Sequence, residues 1–194
     1  MALIKSISGI RGTIGGTTGT NLTPLDVVKF TSAYGSLLLS IREDKTKALT
    51  VVVGRDGRIS GEMVSNLAIN TLVASGIHVV DLGLTTTPTV EMAVVMEKAD
   101  GGIIFTASHN PKEWNALKLL NSEGEFISAE AGQQILEIAE KEDFNFAQVD
   151  ALGKVRQDDY MQKHIDAVLA YSLVDREAIA NRNFNIVVDG INST

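Results

Sequence analysis

The chain has 194 residues, 44% of them hydrophobic, with 17 glycines and three prolines, which is enough to bury a core and excludes a disordered polymer. It has no cysteine, so a disulfide framework, a thiolate metal site and a cysteine nucleophile are excluded, and a cytoplasmic setting is compatible with that. The formal charge of −7 argues against a general nucleic-acid binder, whose phosphate contacts need a basic face; an anionic ligand has to be met by a few cationic and N–H groups gathered at one place.

No apolar run approaches the ~20 residues of a bilayer span, and the first residues lack the long apolar stretch of a signal peptide. Residues 2–10 alternate as a first strand. They lead into Ser8-Gly9-Ile10-Arg11-Gly12-Thr13-Ile14-Gly15-Gly16, a glycine-rich loop holding one guanidinium. Glycine lets a backbone approach an anion closely, and arginine grips phosphate with two parallel N–H bonds. The loop lacks the G-K-[ST] ending of a nucleotide P-loop and does not fit G-x-G-x-x-G; as a bare pattern it is a flexible hairpin before it is a site.

Thr23, Pro24 and Asp26 make a helix start, with a threonine cap, proline in the first turn and an acid at the third position. The helix is expected to reach about residue 40 and to bury Leu25, Val28 and Leu38. The charged run 42–47 reads as a solvated connection. Residues 49–53 form a mostly apolar strand of the kind covered on both faces. Gly54-Arg55-Asp56-Gly57-Arg58-Ile59-Ser60 ends it, with Ser60 as N-cap of a helix to about residue 75 and Gly76 as its terminator. Arg55, Asp56 and Arg58 read as an ion-pair network steadying neighbouring loops, ahead of any direct catalytic part, with Arg58 adding positive potential. Residues 77–82 form the next strand, in which His78 is given no chemistry. Thr87 is the expected cap of a helix to about residue 98. Strand–helix alternation from 49 to 105 calls for crossovers onto a sheet, hence an α/β layer.

Residues 101–106 and 115–120 predict two apolar strands that hold the polar loop Ala107-Ser108-His109-Asn110-Pro111 between them. Ser108 offers a hydroxyl nucleophile, His109 a titratable ring, Asn110 a donor and an acceptor, and Pro111 restrains the turn. Lys118, alone among Ala116, Leu117, Leu119 and Leu120, can return a positive charge to the loop. Taken only as four residues, Ser-His-Asn-Pro is a turn whose side chains bond their own backbone. Trp114 beside it is assigned to packing. Ser128 caps a helix ending near Lys141, and the acidic stretch 140–150 marks the edge of a first domain. Residues 158–170 form an amphipathic helix in which His164 has no assigned partner. Residues 184–188 read as a buried-type strand.

Three stretches resemble, in order, the motifs of the alpha-D-phosphohexomutases, the phosphoglucomutase and phosphomannomutase superfamily: S-G-I-R-G-T around Arg11, G-x-D-x-R-x-S from Gly54 to Ser60, and T-A-S-H-N-P around Ser108. The resemblance implies a layered mixed sheet with helices on both faces, a domain I over 1–151, and a linker helix with the opening of domain II over 152–194. It implies interconversion of hexose 1-phosphate and 6-phosphate through a phosphoserine at Ser108 and a hexose 1,6-bisphosphate. Arg11, His109 and Lys118 would serve the transfer as catalytic residues, and Mg2+ would bind through the Ser108 phosphate, with aspartate ligands expected beyond this stretch. Glucose, mannose and glucosamine all remain open as the sugar. On this reading the chain is a fragment, inactive as a mutase by itself, whose orphan strand 184–188 favours self-association. A non-catalytic phosphosugar-binding or interaction domain is the alternative. A serine hydrolase is disfavoured because adjacent side chains on an extended loop point apart and no G-x-S-x-G elbow is present.

Overall fold

The computed structural model describes residues 3–6 and 9–190. Seven strands form one mixed sheet: β1 (Ile4–Ser6), β2 (Gly9–Thr13), β3 (Thr50–Arg55), β4 (His78–Leu84), β5 (Gly101–Phe105), β6 (Trp114–Leu120) and β7 (Val155–Gln157), in the spatial order β1-β2-β6-β5-β3-β4-β7. The first half of that order is antiparallel; β5, β3, β4 and β7 run parallel. Helices α1 (Pro24–Ile41), α2 (Gly61–Ala74), α3 (Thr87–Glu97), α4 (Ala129–Lys141), α5 (Met161–Ala170) and α6 (Arg176–Arg182) complete the described chain.

The period-2 alternation of strand side chains divides the core in two. Val51, Val53, Ile103, Phe105, Leu117 and Leu119 point to the face covered by α1, α2 and α4. Val52, Ile104 and Leu120 point to the other, where Val90, Ala93 and Val94 of α3 lie. The predicted α/β layer with helices on both faces is therefore the observed one.

Local signals set most element ends. Thr23 and Asp26 form a reciprocal capping box at the start of α1. Ser128 accepts from Ala131 N at 3.2 Å and caps α4. Gly76, with φ 77, ends the run after α2.

Several expectations are corrected. The single strand over 2–10 is a hairpin, β1 against β2, with the intervening residues 7–8 (Ser8 of the glycine-rich loop included) outside the described ones. Gly9 makes this possible: at φ 116 it approaches β6 so closely that a Cβ would lie 2.1 Å from Leu117 O. Arg11 therefore stands on a strand, not in a loop. Leu25 is 66% exposed, because the capping box turns it outward while Val27 and Phe30 take the core. Ser60 makes no capping bond; its Oγ accepts instead from Asn115 Nδ2 at 2.9 Å. Thr86, not Thr87, caps α3. Residues 184–188 form no strand: a strand exists by pairing, the described edge beside β4 is taken by β7, and Val187 is 97% exposed.

Residues beyond 151 also touch the sheet. β7 pairs with β4, and the Tyr160 side chain is buried in the α3-side core.

Candidate active site

The sheet register assembles the site. Ile10 of β2 faces Leu117 of β6, and both enter the core under α1. Their neighbours Arg11 and Ala116 consequently face the opposite side, and so does Lys118, two residues along β6. The β5–β6 connection brings Ser108 back over that same side. Arg11, Ser108, His109, Asn110 and Lys118 line one pocket of about 170 Å3, together with Ser6, Thr106 and Phe126. All four catalytic candidates of the sequence are thus brought together.

The serine loop is tightly bonded from within. Ser108 has φ 55, the left-handed region that costs an L-residue about 1–2 kcal/mol. Its N–H donates to Thr106 Oγ1 at 3.0 Å. Asn110 closes the turn by donating to Ala107 O from both its backbone N (3.1 Å) and Nδ2 (2.7 Å). The left-handed turn also brings the His109 ring round: Nδ1 lies 3.4 Å from Ser108 Oγ. Adjacent side chains do not point apart here, contrary to the extended-loop expectation. A hydrolytic triad would still need a carboxylate on the ring, and Ser108 is the partner His109 has among the described residues.

Arg58 binds the loop from below. Its Nη1 donates to Pro111 O (2.9 Å) and Trp114 O (3.0 Å), and its Nη2 to Ser108 O (2.6 Å) and Asn110 O (2.7 Å). Nε faces Asp56 Oδ2 at 3.3 Å, an ion pair without the alignment of a hydrogen bond. Asp56 Oδ1 accepts from Arg58 N at 3.1 Å, and Arg55 Nη1 reaches Asp56 O at 3.4 Å. The expected network is present in part: Arg58 and Asp56 form its ion pair, while Arg55 meets only the main-chain oxygen of Asp56. Arg58's share of positive potential is corrected, however, since its guanidinium is spent on main-chain carbonyls and neutralised by Asp56.

Lys118 has its own surroundings. Its Nζ lies 5.6 Å from the centre of the Phe126 ring, within the range of a cation–π contact. Glu91 on α3 is pushed above the ordinary carboxylate range by burial, with the nearby Lys118 charge pulling the other way. No sequence signal pointed to Phe126, which reaches the pocket through the turn after β6; Thr106 opens the T-A-S-H-N-P stretch but reads there only as a strand end. His164, left without a partner by its sequence, has Nδ1 2.9 Å from Thr89 Oγ1 of α3 and lies outside the pocket lining.

For a Mg2+ ion the donor set is incomplete. The pocket offers the Ser108 hydroxyl and, if phosphorylated, its phosphate oxygens, whereas Mg2+ favours an octahedron of hard oxygens. No group of three or more His, Asp or Glu side chains is placed to hold a metal among the described residues. By themselves they do not make a Mg2+ site. No helix among them is long and apolar enough to cross a membrane.

The profile of the phosphoglucomutase/phosphomannomutase alpha/beta/alpha domain I matches residues 3–146. A phosphoglucomutase/phosphomannomutase of Thermococcus kodakarensis is 39% identical over 183 residues, which cover 93% of this chain and 39% of that protein. A phosphoglucosamine/phosphogalactosamine mutase of Sulfurisphaera tokodaii is 30% identical over 195 residues, 100% of this chain and 40% of that protein. The solved structure of a phosphomannomutase candidate from Thermus thermophilus superimposes with a TM-score of 0.76 at 26% identity, covering 93% of this chain and 38% of that one. The chain thus spans 39% and 40% of the two relatives' lengths. By profile, relatives and fold together, it belongs to the phosphoglucomutase/phosphomannomutase family of the alpha-D-phosphohexomutases and carries the alpha/beta/alpha domain I.

Proposed function

We propose that this chain carries the phosphoryl-transfer serine of a mutase that interconverts hexose 1-phosphate and hexose 6-phosphate. The observation that supports it best is the meeting of Ser108, Arg11 and Lys118 on one pocket. At about 170 Å3 that pocket is small against the ~300–1,000 Å3 of whole-ligand sites, a size suited to a phosphoryl group held at a sugar's edge.

In the proposed reaction, phosphorylated Ser108 gives its phosphoryl group to the free hydroxyl of a hexose monophosphate. The Oγ–P bond breaks, a P–O bond to the sugar forms, and the proton lost by the sugar hydroxyl is balanced by the one the serine regains. The resulting hexose 1,6-bisphosphate returns its other phosphoryl group to Ser108. Such transfer depends on in-line positioning and charge neutralisation more than on a strong nucleophile. In this reading Arg11 and Lys118 supply the two positive charges and His109 carries the proton, which its Nδ1 at 3.4 Å from Oγ supports. Mg2+ belongs to this proposal as a counter-ion of the Ser108 phosphate, with its other ligands outside the described residues.

Intact-mass analysis of the full-length protein, before and after phosphatase, with peptide mapping, tests the reading. One phosphate on Ser108 and loss of mutase turnover in Ser108→Ala are expected. Turnover retained in Ser108→Ala, or phosphate mapping to another residue, ends it. The alternative, a phosphosugar-binding domain without catalysis, predicts binding of hexose phosphate that Ser108→Ala leaves unchanged and no phosphoserine.

A further inference from the structure

We propose that Arg58 is a positioning residue for phosphoryl transfer: it fixes the main chain of the serine loop so that Ser108 keeps the left-handed conformation that aims Oγ into the Arg11–Lys118 pocket. The proposal rests on the reading of Ser108 as phosphoryl carrier and adds to it the residue that sets its geometry.

A guanidinium has five N–H donors in a planar fork. In Arg58 the four Nη hydrogens meet four carbonyl oxygens, those of Ser108, Asn110, Pro111 and Trp114, all within 3.0 Å. The fifth, on Nε, is buried beside Asp56 as an ion pair without a hydrogen bond. Nothing remains for a ligand phosphate, and Asp56 cancels the charge, so Arg58 cannot act as a second Arg11. What it can do is geometric. Four carbonyls converging on one point would repel one another without a donor group at their centre. The two ends of the set, Ser108 O and Trp114 O, belong to the loop and to the first residue of β6, so the clamp ties the loop to the sheet that carries Lys118. Ser108 is also the residue in the loop with positive φ, and its own carbonyl makes the shortest of the four bonds. Without that bond nothing in the clamp opposes relaxation of Ser108 to an ordinary backbone conformation, which rotates Oγ away from the two cations. Lysine has three donors on one tetrahedral nitrogen and cannot reproduce the planar fork.

The test compares the intact wild-type protein with Arg58→Lys and Arg58→Gln. Ser108 is loaded with hexose 1,6-bisphosphate and followed by intact mass, while amide hydrogen exchange is read at residues 107–114. Both variants are expected to load on the order of 100-fold more slowly, the loss that a displacement of about 1 Å imposes on positioned groups. The half-saturating bisphosphate concentration should change less than about threefold, because Arg11 and Lys118 are untouched, and exchange at 107–114 should rise at least about tenfold over core amides. If Arg58→Gln does not fold, Arg58→Lys, which keeps the charge, carries the same comparison. Wild-type loading rate in a folded variant, or a rate that falls only with the unfolded fraction, overturns the proposal. If the wild type itself never loads at Ser108, the functional reading fails, while unchanged exchange at 107–114 in the variants independently sinks the clamp.

Discussion

Arg11 on β2 and Lys118 on β6 stand one diagonal step apart on the same face of the sheet, because Arg11 is in register with Ala116. Two like charges held this close repel, and a fold gains nothing from the pair unless an anion sits between them. Arg11 is exposed and Lys118 half-buried, so neither is needed to fill the core. Arg11→Met and Lys118→Met should each lower turnover of the full-length enzyme by about 100- to 1,000-fold, the usual loss for one electrostatic stabiliser of a transferring group. Stability should stay within about 0.5 kcal/mol of wild type. Steady-state kinetics beside urea melts check this; a large stability loss with full turnover per folded molecule would assign both residues to structure.

Ser108 separates stability from activity in a second way. Its φ of 55 is a conformation glycine adopts freely and alanine does not. Ser108→Gly and Ser108→Ala should both abolish phosphorylation at this position, yet the glycine variant should be the more stable of the two by about 1 kcal/mol. Equal urea midpoints for the two variants would mean that the loop does not keep the left-handed turn in solution.

Much of this was legible in the sequence because the signals were local. The caps at Thr23 and Ser128, the apolar strands around the serine loop and the terminator Gly76 each rest on a few neighbouring residues. The failures were mostly non-local. Leu25 is the local exception: it looks like a core position until the capping box orients the first turn of α1. Val155, Arg156 and Gln157 are all exposed and carry no strand pattern; they become β7 only because β4 offers an edge. Residues 184–188 carry the pattern and lack a partner. In the site, the motifs named Ser108, Arg11 and Arg58, and a lone charge in an apolar strand named Lys118, but the placement of Arg58 under four carbonyls depends on a contact some 50 residues away, which no spacing rule contains.

Tyr34 of α1 offers a control that bears on folding alone. It is wholly buried, its single hydroxyl proton is shared between Leu120 O at 2.7 Å and the more distant Gly102 O at 3.3 Å, and burial pushes its ionisation far up, so it stays a donor at any working pH. The glycine at 101 is required there, since a Cβ would lie against the Tyr34 hydroxyl. Tyr34→Phe leaves two buried carbonyls with one partner fewer and should cost about 1–3 kcal/mol. These bonds lie at the end of β5 away from the serine loop, so phosphorylation of Ser108 should be unchanged. A parallel loss of phosphorylation in the folded variant would show that the two ends of the strand are coupled.

The attachment of residues 155–170 to the domain should depend on pH. Glu97, the last residue of α3, accepts hydrogen bonds from Arg156 and from the Tyr160 hydroxyl. Asp158 pairs with Arg156 at 3.0 Å and with Lys163 at 3.4 Å. Desolvation alone would push both carboxyls up, but these donors and charges outweigh it, and both are held below the ordinary carboxylate range. A carboxyl whose folded pKa is depressed contributes stability that is present above its unfolded pKa and lost as pH falls through the folded one. At neutral pH the network is therefore intact, and below the ordinary carboxylate range it should release. The pairs are partly exposed, so the effect is modest and weakened by salt. Amide exchange at 155–165 should accelerate on acidification before that of core strands β3 and β5, and Glu97→Gln should show the fast exchange already at neutral pH. If Glu97→Gln exchanges as slowly as wild type at neutral pH, or if 155–165 and the core loosen together in acid, the burial of Tyr160 and the β4–β7 pairing hold the segment without the ion pairs.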